Sequence, residues 1–124
     1  MGVARVDETV QLSPQRALLQ AQQLLDTGRP FHAHEVLEGV WKSAPLAERP
    51  LWQGLAQLAV GVTHLLRGND SGAQTVLARG RGNLADFADQ PPYGIDVVGL
   101  LTWVEQVLAG VDVRPPQLRT RMAP

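Results

Sequence analysis

The chain has 124 residues, enough for one domain with a sizeable core. Hydrophobic residues make up 44% and charged residues 19%, a globular balance that excludes a disordered chain. A formal net charge of −1 offers no field for nucleic acid or an anionic membrane, and the absence of cysteine excludes disulfides, thiolate metal sites and cysteine nucleophiles.

Residues 1–11 carry charges and no apolar run, unlike a signal peptide, and 1–12 reads as a flexible arm. Ser13-Pro14 starts a first helix to about residue 27, because Ser caps and Pro suits the first turn. Leu18, Ala21, Leu24 and Leu25 give it an apolar side, and Gly28 ends it. Pro30 opens a second helix to about residue 42. At about 100° per residue, Phe31, His34, Glu35, Glu38, Trp41 and Lys42 share one arc, and Ala33, Val36, Leu37 and Val40 fill the other. Both arcs call for burial, with His32 and Gly39 at the solvent edge, so this helix is expected in the middle of an assembly.

Ala44-Pro45 breaks the chain before a third helix over 47–67. Leu51, Leu55, Leu58, Val62, Leu65 and Leu66 form its apolar face, while Gln53, Gln57 and His64 form a polar row flanked by Gly54 and Gly61. Mid-helix glycine costs about 1 kcal/mol against alanine, so two of them predict close approach by a neighbouring helix. The apolar stretch 51–66 is too short and too polar to span a bilayer.

Gly68-Asn69-Asp70 is a turn that caps a fourth helix over 71–88, with Ala73, Val76, Leu77, Gly80, Leu84 and Phe87 inward. After the Pro91-Pro92-Tyr93-Gly94 loop, Asp96 caps a fifth helix to about residue 109, stopped by Gly110. Residues 13–110 therefore read as the domain, and 111–124, aperiodic and containing Pro115-Pro116, as a flexible tail. No segment alternates with period two, so no sheet is expected. A weak repeat relates Leu25, Gly28, Ala33, Val36 and Leu37 to Leu65, Gly68, Ala73, Val76 and Leu77, a tetratricopeptide-like pattern of helical hairpins.

The second helix concentrates the ionisable chemistry. His34 with Glu38, and Glu35 with Glu38, have spacings that place side chains on one helix face. If the polar row of the third helix packs there, His34, Glu35, Glu38, Gln57 and His64 would gather between two helices. Imidazole and carboxylate suit a divalent transition metal. His34-Glu35-x-x-Glu38 departs from the zinc-protease pattern His-Glu-x-x-His at its last position, and the second copy of a di-iron motif is missing. Buried carboxylates must be paired, and a structural His/Glu/Gln network meets that need without a ligand. That reading stands ahead of a ligand or metal site, and both ahead of catalysis. Trp41 and Trp52 read as packing residues.

The string Phe31-His32-Ala33-His34-Glu35-Val36-Leu37-Glu38-Gly39-Val40-Trp41-Lys42 resembles the signature of the bacterial and archaeal family called domain of unknown function 309. The resemblance continues through Gln53-Gly54-Leu55, Gln57-Leu58-Ala59, His64, Arg67-Gly68-Asn69, Gly72-Ala73 and Tyr93-Gly94-Ile95-Asp96. It implies a small all-helical domain and no activity. The signature positions it implies are His34, Glu35, Glu38, Trp41, Gln53, Gly54, Gln57 and His64. Gly39 is an odd small residue within the signature helix.

The sequence thus predicts an all-α, five-helix bundle of antiparallel hairpins in a cytoplasmic protein. Its first functional reading is a non-enzymatic scaffold or interaction module without cofactor. The second is a protein holding one divalent metal or small ligand through His34, Glu35, Glu38 and His64, with a metal-dependent hydrolase as its enzymatic form. Nucleic acid and membrane are not expected partners; a homo-oligomer or a protein partner is allowed.

Overall fold

The computed structural model describes residues 12–111 and 114–120. Five α-helices account for most of them: α1 (Pro14–Asp26), α2 (Pro30–Ser43), α3 (Arg49–Leu66), α4 (Asp70–Ala85) and α5 (Val97–Leu108). Single 3₁₀ turns lie at Leu46–Glu48 and Pro92–Gly94. The expected all-helical class is observed, and the described residues contain no strand, only an isolated bridge between Ile95 and Arg119.

The helix ends follow from local chemistry. Ser13 Oγ accepts from Arg16 N–H at 3.2 Å, with Pro14 behind it in the first turn. Asn69 Oδ1 accepts from Gly72 N–H at 3.0 Å, and Asp70 sets a carboxylate in the first turn of α4. Asp96 Oδ1 accepts from Gly99 N–H at 3.1 Å. Gly28, Gly68 and Gly110 follow the ends of α1, α3 and α5 at φ between +75° and +84°, where a side chain would be strained.

Short connections fold successive helices back on one another. α1 packs on α2, α2 on α3, α3 on α4 and α4 on α5. α3 contributes Leu51, Trp52, Leu55 and Leu58 to one buried core that also holds Leu18 and Leu25 of α1, Leu37 of α2, and Leu77 and Leu84 of α4. The close approach predicted from Gly54 and Gly61 is present at the α3–α4 contact. A Cβ at Gly54 would lie 3.1 Å from the Gly80 carbonyl oxygen and 2.9 Å from Leu84 Cγ. One at Gly61 would lie 2.6 Å from Leu77 Cγ.

Two expectations differ from the structure. The polar arc of α2 is not buried throughout: Phe31 is 48% exposed and Glu35 is exposed. The helix packs mainly on α1 and α3, and this packing leaves both side chains in water. The second difference concerns 111–124. Residues 114–120 lie against the domain, with Pro116 and Leu118 buried. Asp96 N–H donates to Leu118 O at 2.9 Å and Thr120 N–H to Gly94 O at 2.8 Å. The segment has no helical period because it is extended and borrows its partners from distant residues. The expected arm over 1–12 lies outside the described residues except for the exposed Leu12.

Candidate functional site

The i,i+4 spacing on α2 sets His34 and Glu38 one turn apart. Nε2 of His34 lies 3.7 Å from Glu38 Oε2, and Lys42 Nζ lies 4.0 Å from Glu38 Oε1. The Phe31 ring packs against the imidazole with centroids 5.3 Å apart. From α3, Gln53 and Gln57 face the same sector. Together with Trp41, these side chains line a cleft of about 160 Å³ whose apolar lining is Ala56 and Val60. Five of the seven predicted polar-cluster residues therefore converge: His34, Glu38, Trp41, Gln53 and Gln57.

The cluster extends to a third helix. Asn83 of α4 donates through Nδ2 to Gln57 Oε1 at 2.8 Å, which ties α3 to α4. The His34 side chain is 19% exposed, and its Nδ1 is buried without a hydrogen-bond partner. Its Nε2 faces the Glu38 carboxylate. The Glu38 side chain is 42% exposed, which limits its ion pair with Lys42 to about 0.5 kcal/mol.

Glu35 and His64 do not join the cluster. Glu35 points from α2 into solvent. His64 stands at the last turn of α3, where Asn69 Nδ2 lies 3.0 Å from its Nδ1 and its ring edges up to Gly72. Its role is to close the α3–α4 connection. The metal quartet of His34, Glu35, Glu38 and His64 is therefore not assembled. Among the described residues no three His, Asp or Glu side chains group as a metal ion requires.

Sequence reasoning missed a second polar node. Glu48, in the 3₁₀ turn before α3, accepts from Trp52 Nε1 at 3.3 Å. The Tyr93 hydroxyl sits 2.9 Å from both Glu48 carboxylate oxygens. The Trp52 and Tyr93 rings pack with centroids 5.8 Å apart. Tyr93 adopts φ +58°, and among the described residues no other non-glycine residue has positive φ. Its hydroxyl pKa is raised above the usual 10.0, first by the hydrogen bond to Glu48, then by burial and by the negative charge of Glu48. The available signal was the i,i+4 spacing of Glu48 and Trp52, which is too common to stand out.

With the geometry in hand, comparison with known proteins places the chain. Residues 18–76 match the family model described as a domain of unknown function, DUF309. Over these residues the chain is similar to DUF309. The matched residues run from α1 into α4 and so include the cleft, while Asn83 and Tyr93 lie beyond them. An uncharacterised protein of Aquifex aeolicus is 32% identical over 107 residues, covering 82% of this chain and 31% of that protein. The uncharacterised protein YpuF of Bacillus subtilis is 43% identical over 84 residues, covering 66% of this chain and 48% of its own. The chain thus spans less than half the length of these relatives. No solved structure matches it.

Proposed function

We propose that this chain is a non-enzymatic interaction module in which the His/Glu/Gln cluster is structural and sets the register of α2, α3 and α4. The observation that carries this reading is that Gln57, Glu38 and His64 each have a partner within the fold. Gln57 takes Asn83, Glu38 lies between His34 and Lys42, and His64 takes Asn69. A catalytic or metal site needs such groups aimed at one shared point. No helix of the described residues is long and apolar enough to cross a membrane, and the formal charge of −1 gives no drive toward nucleic acid. A protein partner is the class of ligand this leaves in front, with the cytoplasm as the proposed location.

A second reading, a small polar ligand in the α2–α3 cleft, is favoured by one observation. Nδ1 of His34 lacks a partner beside a cleft that also presents an indole and two carboxamides. Elemental analysis of untagged protein separates the two readings where the ligand is a metal. The module reading expects sub-stoichiometric metal that is unchanged in His34→Ala. Near-stoichiometric metal lost in His34→Ala would overturn it.

A further inference from the structure

Residues 114–120 cross the edge of the bundle as an extended strap, and the way they are held has the form of peptide recognition. Gln22 of α1 turns its carboxamide toward the strap. Nε2 donates to Pro116 O at 3.0 Å, and Oε1 accepts from Leu118 N–H at 2.8 Å. On the other side, Asp96 N–H donates to Leu118 O and Thr120 N–H to Gly94 O, forming the antiparallel bridge of Ile95 with Arg119. Trp103 Nε1 donates to Arg114 O at 2.8 Å. Each of these bonds ends on strap backbone. Side-chain selectivity comes from Leu118, 1% exposed, and from the buried Pro116.

That division of labour matches peptide-docking grooves, in which main-chain bonds supply affinity and one or two pockets supply specificity. Pro115 and Pro116 hold the segment extended before it docks, which lowers the ordering cost. The groove is also larger than its occupant. A cleft of about 480 Å³ remains beside the strap, with Leu19, Gln22, Tyr93, Gln117 and Thr120 in its lining. Leu19 is left 52% exposed there.

We propose that the groove formed by α1, the Pro92–Gly94 turn and α5 is a peptide-docking site. Residues 114–120 fill it in cis, and an extended Pro-x-Leu segment of a protein partner takes it in trans. The partner peptide makes the backbone bonds now made by the strap, seats its leucine where Leu118 sits and extends over Leu19. The strap is then an intramolecular competitor whose tether gives it an effective concentration on the order of millimolar. This site is separate from the α2–α3 cluster, so its test does not depend on the reading of that cluster.

The test uses the full chain. In hydrogen exchange on the wild-type protein, the Leu118 and Thr120 amides should exchange at least about a hundredfold faster than the α3 core amides, by local opening of the strap. Exchange of those two amides at the α3 core rate would overturn the proposal, because the strap would then leave only when the domain unfolds. A labelled peptide of residues 114–120 should bind saturably to the full chain carrying Leu118→Asp. Binding should be about tenfold weaker to wild type, where the tethered strap competes. It should fall about fivefold further from the Leu118→Asp value when Gln22→Ala removes the carboxamide clamp. No saturable binding to a folded Leu118→Asp chain, or failure of that chain to fold, overturns the proposal. A wild-type dimer formed by exchange of straps would overturn the commitment to a separate protein partner.

Discussion

Glu48 holds two aromatic residues with one carboxylate. Its bonds to Trp52 and Tyr93 join the entry of α3 to the loop before α5, and Tyr93 takes an unfavourable backbone conformation to reach it. Because the Tyr93 pKa is raised in the fold, the stability this contact contributes is fully present below the ordinary value of 10.0. It is lost as pH rises through the higher folded value. Tyr93 is the single tyrosine of the chain, so an alkaline absorbance titration reports on it alone. The folded protein should titrate above the urea-unfolded protein. Tyr93→Phe should lose about 1–2 kcal/mol at neutral pH and show a flatter alkaline limb in thermal melts. Coincident titration of folded and unfolded protein would remove Glu48 from this role.

At the scale of helices, the glycines divide into two kinds. Gly61 sits under the wholly buried Leu77, and an added methyl would fall on the branch carbon of that side chain. Helix propensity favours Gly61→Ala by up to about 1 kcal/mol, but overpacking costs about 1–3 kcal/mol, so denaturant unfolding should show a net loss. Gly39 is exposed, and a Cβ there meets nothing within 4 Å. Gly39→Ala should therefore stabilise by about 0.5–1 kcal/mol. The first effect was legible in the sequence, because Gly54 and Gly61 flank one row of α3. The second was not, because a helical wheel does not say whether a neighbour is present. The same blindness explains Phe31 and Glu35. Periodicity placed them with His34 and Glu38, but only packing decides how wide a sector a helix buries. Helix starts were legible because Ser13, Asn69 and Asp96 cap through local bonds.

Over the whole molecule, the sequence was informative wherever order comes from neighbours along the chain. It failed where order comes from distant partners. The strap over 114–120 has no period to detect, and its bonds lead to Gln22, Gly94, Asp96 and Trp103. Asn83 escaped notice for the same reason. It lies twenty-six positions from Gln57, yet it supplies the bond that makes Gln57 part of the scaffold. His64, grouped with His34 by its polar row, is drawn off by Asn69 at the end of α3. The candidate site is thereby reduced to a cleft in which Asn83 holds Gln57 and Glu38 lies between His34 and Lys42.

The claim that this cluster is structural is tested most directly by a double-mutant cycle on Gln57 and Asn83, read by chemical denaturation. Gln57→Leu and Asn83→Leu should each destabilise the domain, and the double variant should be less harmful than their sum by about 0.5–1.5 kcal/mol, the net value of a partly buried hydrogen bond. Additive losses would contradict the account, since the two side chains would then make no bond that matters to the fold.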